Sequence, residues 1–439
     1  MKLPAYVLEC IEKLERADFS AYAVGGCVRD HLLGLEPQDY DLCSQALPEQ
    51  ICQVFSDHDL VLAGLKHGTV GVICPAGVVE ITTYRTEGGY TDSRHPDWVR
   101  FVDRVEEDLA RRDFTVNAMA WSPTRGLKDP FGGAEDLKNG ILRTVGNPMD
   151  RFREDALRIL RGARFASRYR LKPEQGTYEA MLRLSPLMEE LARERVYSEL
   201  CKLVITATAE DLLTYEPIIT QVIPELKPTV GFDQRSKHHI YDLFTHIAHV
   251  TAGAPKVLSV RWAALLHDVG KPETLTLDAE GEGHYYGHAQ ASATLANEIL
   301  LRLKAPTALR EQVVLLIEQH MTLLQPQRNV VRRRLSRMGH ENLELLLQLQ
   351  EADMGGQGTK ETKDYFCQLR EIMQELLEEE SCFTLKSLAV NGRDLMALGI
   401  PAGKELGICL QRLLDGVLDE TLPNEKDTLL EAAKGFYRG

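Results

Sequence analysis

No stretch of this chain approaches the roughly 18 consecutive apolar residues of a membrane-spanning helix, and Met1-Lys2-Leu3-Pro4 opens without the apolar run of a signal peptide. The expectation is a soluble chain with no membrane partner. Paired cysteine spacing is missing too. The nine cysteines are scattered, with no CxxC and no framework interval, which argues against a disulfide-stapled secreted domain. Cys27, Cys43, Cys52 and Cys74 fall inside element-like patterns, where a thiol acts as a small apolar filler. An odd, unpatterned count suits a reducing cytosol, so the expected location is cytoplasmic. Internal repeats and low-complexity tracts are absent. So is a basic surplus: 51 Lys and Arg face 65 Asp and Glu, a net charge of −14. Taken as a whole that argues against a nucleic-acid partner, because phosphate neutralisation dominates such binding.

What is present is ample core and uneven charge. The 439 residues are 44% hydrophobic and 26% charged, enough for about three ordinary domains. Residues 151–170 carry seven arginines, and residues 326–339 carry Arg328, Arg332, Arg333, Arg334 and Arg337 with no acid. Glu371, Glu375, Glu378, Glu379 and Glu380 make a nearby acidic stretch. Contact with a polyanion therefore has to rest on local basic faces. Up to about residue 145 strand and helix signals mix. Val7, Leu8, Ile11 and Leu14 mark an amphipathic helix, and Tyr22-Ala23-Val24 a short apolar run. Pro48 opens another helix, and Thr69 to Cys74 with Val78 to Tyr84 reads as a hairpin turning at Pro75-Ala76-Gly77. Beyond about 150 nearly every segment has helical period. Breaks fall near Lys227-Pro228 and Gly355-Gly356-Gln357-Gly358. The expected fold class is α+β, a mixed or antiparallel sheet with helices followed by a long all-α remainder.

The densest chemistry lies in Gly25-Gly26-Cys27-Val28-Arg29-Asp30 followed by Asp39-Tyr40-Asp41. Two glycines after a strand let the backbone approach phosphate closely, and Arg29 offers a cationic fork. Asp39 and Asp41, two apart in an extended run, project to one face. There they can share divalent cations with a triphosphate, activating an attacking hydroxyl and stabilising the leaving pyrophosphate. Mg²⁺ suits such hard oxygen ligands. Alone, a Gly-Gly pair is a turn and Asp-x-Asp a solvated loop; their order and spacing make the signal.

Here the sequence resembles the polymerase beta-like nucleotidyltransferases and, more closely, the class II tRNA nucleotidyltransferases and bacterial poly(A) polymerases. The resemblance implies a catalytic head and, at Glu80 between Val79 and Ile81, a third catalytic carboxylate; the alternative is an exposed strand glutamate. Arg111-Arg112-Asp113-Phe114-Thr115-Val116-Asn117-Ala118 is similar to the family's second motif, which implies contacts from Arg112, Asp113 and Asn117 to the ribose and phosphates of an incoming nucleotide. Asp113 and Asn117 sit four apart and would share a helix face. Asp129-Pro130-Phe131-Gly132-Gly133 matches the third motif, a structural hinge.

Glu154 to Phe165 reads as one helix. Arg158, Arg161 and Arg164 recur every three residues, with Asp155 a turn before Arg158 on the same side. Asp accepts from the exocyclic amino group of cytosine or adenine, while Arg donates to ring acceptors. One such pair admits CTP and ATP and rejects GTP and UTP. The resemblance implies this base-reading role for Asp155 and Arg158, and Arg161 and Arg164 would hold phosphates. The plain alternative is a surface helix laced with ion pairs such as Glu154–Arg158. The later helix around Arg193 to Glu199 is read as scaffold.

His246, His267-Asp268, His288, His320 and Asp353 lie on successive helical segments. They resemble the HD superfamily of metal-dependent phosphohydrolases, which implies a site for a divalent transition metal or Mg²⁺ and hydrolysis of phosphomonoesters or 2′,3′-cyclic phosphates. His239 and His249 are read as ordinary surface or satisfied residues. Ala389 to Met396, with Gly399-Ile400-Pro401 and Gly403, is similar to the tail of Gram-positive CCA-adding enzymes, which implies a grip on tRNA by shape and backbone. The expected domains are 1–145 (nucleotidyltransferase head), 146–226 (helical neck with the base-selecting motif), 227–356 (HD-type helical body) and 357–439 (helical, tRNA-binding tail).

Tyr84 to Pro96 resembles the mobile head loop of complete CCA-adding enzymes, and the chain stops at Gly435-Phe436-Tyr437-Arg438-Gly439 without a basic extension. Both favour CCA addition to tRNA from CTP and ATP over CC or A addition or poly(A) synthesis. An HD phosphohydrolase with a non-catalytic RNA-binding head, or a purely tRNA-binding protein, are readings of other classes. Monomer and homodimer are both compatible with the sequence.

Overall fold

The computed structural model describes residues 1–88, 98–235, 241–355, 360–379 and 384–438. The second half of the expected head loop, His239 and the Gly356-Gln357-Gly358 break lie outside the described residues. The chain divides into two compact units, Met1–Lys227 and Pro228–Gly439.

The first unit is built on strands β1 (Ala21–Val24), β2 (Asp41–Ser44), β3 (Leu60–Val61), β4 (Thr69–Cys74), β5 (Gly77–Thr83), β6 (Arg85–Gly88), β7 (Trp98–Phe101), β8 (Ala120–Ser122) and β9 (Gly126–Lys128). Seven of them form one sheet in the order β3-β4-β5-β2-β1-β8-β9, while β6 and β7 pair as a separate antiparallel hairpin. All four residues of β1 are buried, as a central strand covered on both faces requires. The first helix, Ala5–Arg16, buries Val7, Cys10, Ile11 and Leu14, the three-and-four spacing of an amphipathic helix. Cys10 takes the place in that stripe that the sequence reading gave to Leu8. In the sheet β2 runs parallel to β5 and antiparallel to β1. That one parallel pairing sets Asp41 beside Glu80.

The rest of the first unit is helical, with Pro148–Glu154, Leu157–Tyr169, Gln175–Leu184 and Arg193–Thr206 as its longer members. A two-residue parallel pairing of Ile141–Leu142 with Lys172–Pro173 ties this neck to the head. The second unit is almost wholly helical, from Leu243–Gly253 to Lys426–Arg438, apart from a short strand pair at Thr276–Leu277 and Gly283–His284. Separate apolar clusters organise its helices, one around Leu343, Phe366 and Leu376 and another around Leu395, Leu413 and Leu429. The basic run 326–339 falls largely on the helix Arg328–Met338, and three of its five arginines are matched by carboxylates. Arg328 pairs with Glu375 and Glu379, Arg332 with Glu420, and Arg333 with Asp419.

Candidate active site

In the first unit a cavity of about 590 Å³ opens where the head sheet meets the neck helices. Its wall begins at Gly25, where the chain leaves β1 with φ 73°. Only glycine fits easily there: the backbone is left-handed, and a Cβ would stand 2.8 Å from Arg112 Nη1. Arg29 on the following helix is buried. Its Nε donates to Asp30 (2.9 Å), its Nη1 to Asn117 Oδ1 and its Nη2 to the Tyr169 hydroxyl. The Tyr169 ring lies 4.1 Å from its guanidinium carbon. Arg29 thus joins the glycine turn to the neck with most of its donors engaged.

Asp39 and Asp41 both line this cavity. Desolvation, Glu80 and Asp39 raise the Asp41 pKa, with Arg112 acting against them. Glu80 is exposed beside Asp41 in the sheet and is not among the residues that line the cavity. Among the described residues, the clusters with three His, Cys, Asp or Glu ligand atoms within 4.8 Å of one another lie only in the second unit. The three head carboxylates are therefore more widely spread, as mutually repelling charges favour.

The Arg111–Ala118 segment is not the α-helix its spacing suggests. Residues Thr115–Asn117 form a single 3₁₀ turn, and Phe114 bridges to Thr144. Gly133 packs on the carbonyl of Thr115, where a Cβ would clash at 2.1 Å, while Asp129 accepts from Gly133 N and Ala134 N. Asp113 and Asn117 still meet: Asn117 Nδ2 donates to Asp113 Oδ1 at 3.1 Å. Asp113 Oδ2 receives Arg161 Nε and Nη2 at 2.8 and 2.6 Å. Burial alone would raise the Asp113 pKa, but Arg161 and Asn117 hold it below the usual carboxylate range.

The expected continuous neck helix is broken at Asp155. One helix ends at Glu154, Asp155 is extended (φ −147°, ψ 103°), and the next helix starts at Leu157. Asp155 Oδ1 accepts from Leu157 N (3.0 Å), and such local side-chain bonding competes with helix continuation. Its other oxygen receives Arg195 Nη2 at 2.7 Å. Arg158 donates to Glu154 Oε2 (2.6 Å) and to the Arg111 carbonyl (3.1 Å). Asp155, Arg158, Arg161 and Arg164 all line the cavity. The last two, expected at phosphates, face carboxylates here: Arg161 holds Asp113 and Arg164 holds Glu199 at 2.6 Å. Arg195 and Glu199, on the helix read as scaffold, thus orient Asp155 and Arg164. Their four-residue spacing on one helix face was the available signal.

In the second unit His246, His267, Asp268, His288, His320 and Asp353 come together. Asp268 is central, with His246, His267, His288 and His320 Nε2 atoms 3.2–3.9 Å from its oxygens. Asp353 lies 3.2 Å from His246 and 3.6 Å from His267. The Nδ1 atoms of His267, His288 and His320 each pair with a main-chain carbonyl, of Ala264, Tyr285 and Ile317. That fixes the tautomer and leaves Nε2 as a lone-pair donor pointing inward. Nε2 of these three and Asp268 Oδ1 are buried without a hydrogen-bond partner. Such orphaned atoms converging on one point fit a divalent cation. Lys271 Nζ, 2.7 Å from Asp268, supplies the nearest protein cation. His249 stacks on Tyr241, with centroids 4.7 Å apart.

A mixed head sheet with Asp41 on its central strand, facing an arginine-rich neck across one cavity, defines a nucleotidyltransferase. Residues 21–143 match the family model of the poly A polymerase head domain, and residues 287–433 that of tRNA nucleotidyltransferase domain 2. The CCA-adding enzyme of Enterococcus faecalis is 32% identical over 430 residues, 97% of this chain and 94% of that one. That of Ligilactobacillus salivarius is 45% identical over 234 residues, spanning 51% of this chain and 57% of that relative. The crystal structure of the Bacillus stearothermophilus CCA-adding enzyme in complex with CTP superposes with a TM-score of 0.76 at 28% identity, over 100% of this chain and 98% of that one. The chain belongs to the CCA-adding enzyme family.

Proposed function

We propose that the protein adds the terminal CCA to tRNA without a nucleic-acid template, taking CTP twice and then ATP. The observation that carries this reading is that the predicted metal-binding, sugar-contacting and base-selecting side chains all line one cavity. Asp39 and Asp41, with Glu80 beside them, would hold Mg²⁺; their mutual repulsion and the raised Asp41 pKa suit a cluster awaiting divalent charge. When bound, the ions lower the pKa of the RNA 3′-hydroxyl and neutralise the leaving pyrophosphate. The protein's own part is placement. Gly25 allows close backbone approach, and Arg112 packs against it. Asp113, ionised and clamped by Arg161 and Asn117, presents acceptors to the ribose. Asp155 and Arg158 read the amino group and ring acceptor shared by cytosine and adenine, Arg158 exchanging Glu154 for the base.

The test supplies a tRNA transcript lacking CCA with Mg²⁺ and CTP, ATP or both. Three added nucleotides with both triphosphates are expected. Two with CTP alone and no further growth with ATP would mark a CC-adding enzyme. A long A tract would mark a poly(A) polymerase, and no extension at all would sink the reading. A second activity is proposed for the HD-type cluster, hydrolysis of phosphomonoesters or 2′,3′-cyclic phosphates, because its unpartnered imidazole nitrogens are built to hold a metal. Turnover of a 2′,3′-cyclic nucleotide that stops on chelation tests it; inert protein with metal bound would refute it.

A further inference from the structure

Most arginines of the cleft are already matched. Arg161 and Arg164 hold Asp113 and Glu199, Arg158 holds Glu154, and Arg195 holds Asp155. Arg112 reaches Asp108 and Arg29 reaches Asp30. To grip a ligand, each must loosen an existing pair. Arg168 differs. It lines the same cavity and is exposed, yet has no carboxylate partner among the described residues. Its recorded contact is the ring of Tyr169, 5.2 Å from its guanidinium carbon.

Its position along the helix Leu157–Tyr169 matters as much as its freedom. From Arg158 to Arg168 the helix rises about 15 Å. That path starts at the proposed base readers and passes Arg161, which holds the proposed ribose contact Asp113. It ends where Tyr169 touches Arg29 on the helix after the glycine turn. A triphosphate laid along the cleft with its base at Asp155 and its sugar at Asp113 brings its last phosphates to this end. Resting on the nucleotidyltransferase reading of the cleft, we propose that Arg168 binds the β- and γ-phosphates of the incoming CTP or ATP. It then stays with the pyrophosphate after the 3′-oxygen bonds to the α-phosphorus. In that step the 3′-hydroxyl releases its proton to solvent water, the bond from the α-phosphorus to the oxygen bridging the α- and β-phosphates breaks, and that oxygen leaves on the pyrophosphate with the electron pair. Arg168 transfers no proton; it offers a planar fork to oxygens that gain charge.

An RNA backbone phosphate has the same chemistry, so the experiment separates the two sources. With the full chain, Mg²⁺ and tRNA lacking CCA, steady-state constants are measured for wild type, Arg168→Ala and Arg168→Lys. For Arg168→Ala, KM for CTP and for ATP should each rise about tenfold, the loss of one charge-assisted contact. The inhibition constant of pyrophosphate should rise by a similar factor, with KM for tRNA unchanged. Arg168→Lys should recover part of the effect, since charge returns without the fork. A rise in the tRNA constant alone would assign the phosphate to RNA and overturn the proposal. Unchanged constants throughout would leave Arg168 a solvent-facing cation and also overturn it. A wild-type chain that incorporates nothing would instead remove the underlying reading, and is seen before any variant is compared.

Discussion

The Arg164–Glu199 pair decides whether the neck arginines are held for substrate or for structure. Its side chains are 8% and 6% exposed, with Nε and Oε2 at 2.6 Å. Arg164→Met keeps the length of the side chain and removes the charge, leaving the Glu199 carboxylate buried. Breaking a buried pair in this way costs about 3–5 kcal/mol. Lys202, 3.4 Å from Glu199 and half-exposed, supplies partial compensation, so the lower end, about 3 kcal/mol, is expected. For a unit the size of Met1–Lys227 each kcal/mol moves Tm by roughly 2–4 °C, a fall of about 6–12 °C. Arg164→Met with Glu199→Leu should recover most of it, because an apolar pair of similar volume replaces buried ions at little cost. Differential scanning calorimetry of the full chain reads both. If Arg164→Met melts within a degree or two of wild type while KM for CTP and ATP climbs, the reasoning fails and Arg164 is a phosphate ligand.

Asp41→Ala should lower nucleotide incorporation about a thousandfold or more while tRNA still binds in a filter or gel-shift assay; residual incorporation near wild type would exclude a metal role. Arg158→Ala should narrow the preference for CTP and ATP over GTP and UTP by about 10- to 100-fold, read from misincorporation with single triphosphates, and unchanged discrimination would return the neck helix to scaffold. Purified protein should carry a divalent metal measurable by mass spectrometry, with stoichiometry falling in His288→Ala and in His320→Ala. Equal metal content in wild type and variants would show that these imidazoles do not hold it.

The sequence made some of this legible and hid the rest for identifiable reasons. Gly25-Gly26 and Asp39-x-Asp41 are local patterns whose convergence on one cavity could be anticipated, although Asp39 falls just before β2 rather than within it. The HD-type residues could be listed in order because each lies in or beside a helix, His246 and Asp353 within one, His267 and His320 at the end of one and His288 at the start of one. What failed were inferences from helical period across a break. Asp155 bonds to Leu157 N and interrupts the helix, so its side chain is placed by a local contact rather than by a three-residue step to Arg158. The Arg111–Ala118 segment misled in the same way, since Phe114 is recruited to a bridge with Thr144. The partners of Arg161 and Arg164 lie 48 and 35 residues away. No periodicity of the neck helix contains that information.

The acidic balance of the chain and its arginine-rich cleft are two sides of one electrostatic arrangement. Unpaired guanidinium groups buried against the neck would be costly in the absence of substrate, and each is therefore matched: Arg29 by Asp30, Arg158 by Glu154, Arg161 by Asp113, Arg164 by Glu199. The matching carboxylates do more than neutralise, because they hold the donors in fixed directions within the cavity. A nucleotide bound as proposed would take over donors from these carboxylates, with the donor directions already set. The same logic separates the two basic runs of the sequence. In residues 151–170 the carboxylate partners leave Arg158, Arg161 and Arg164 lining a cavity. In residues 328–333 they tie a helix to its neighbours, with Glu375, Glu379, Asp419 and Glu420 taking up the charge. Counting arginines could not distinguish these cases; the distinction lies in whether the paired side chains still face open space.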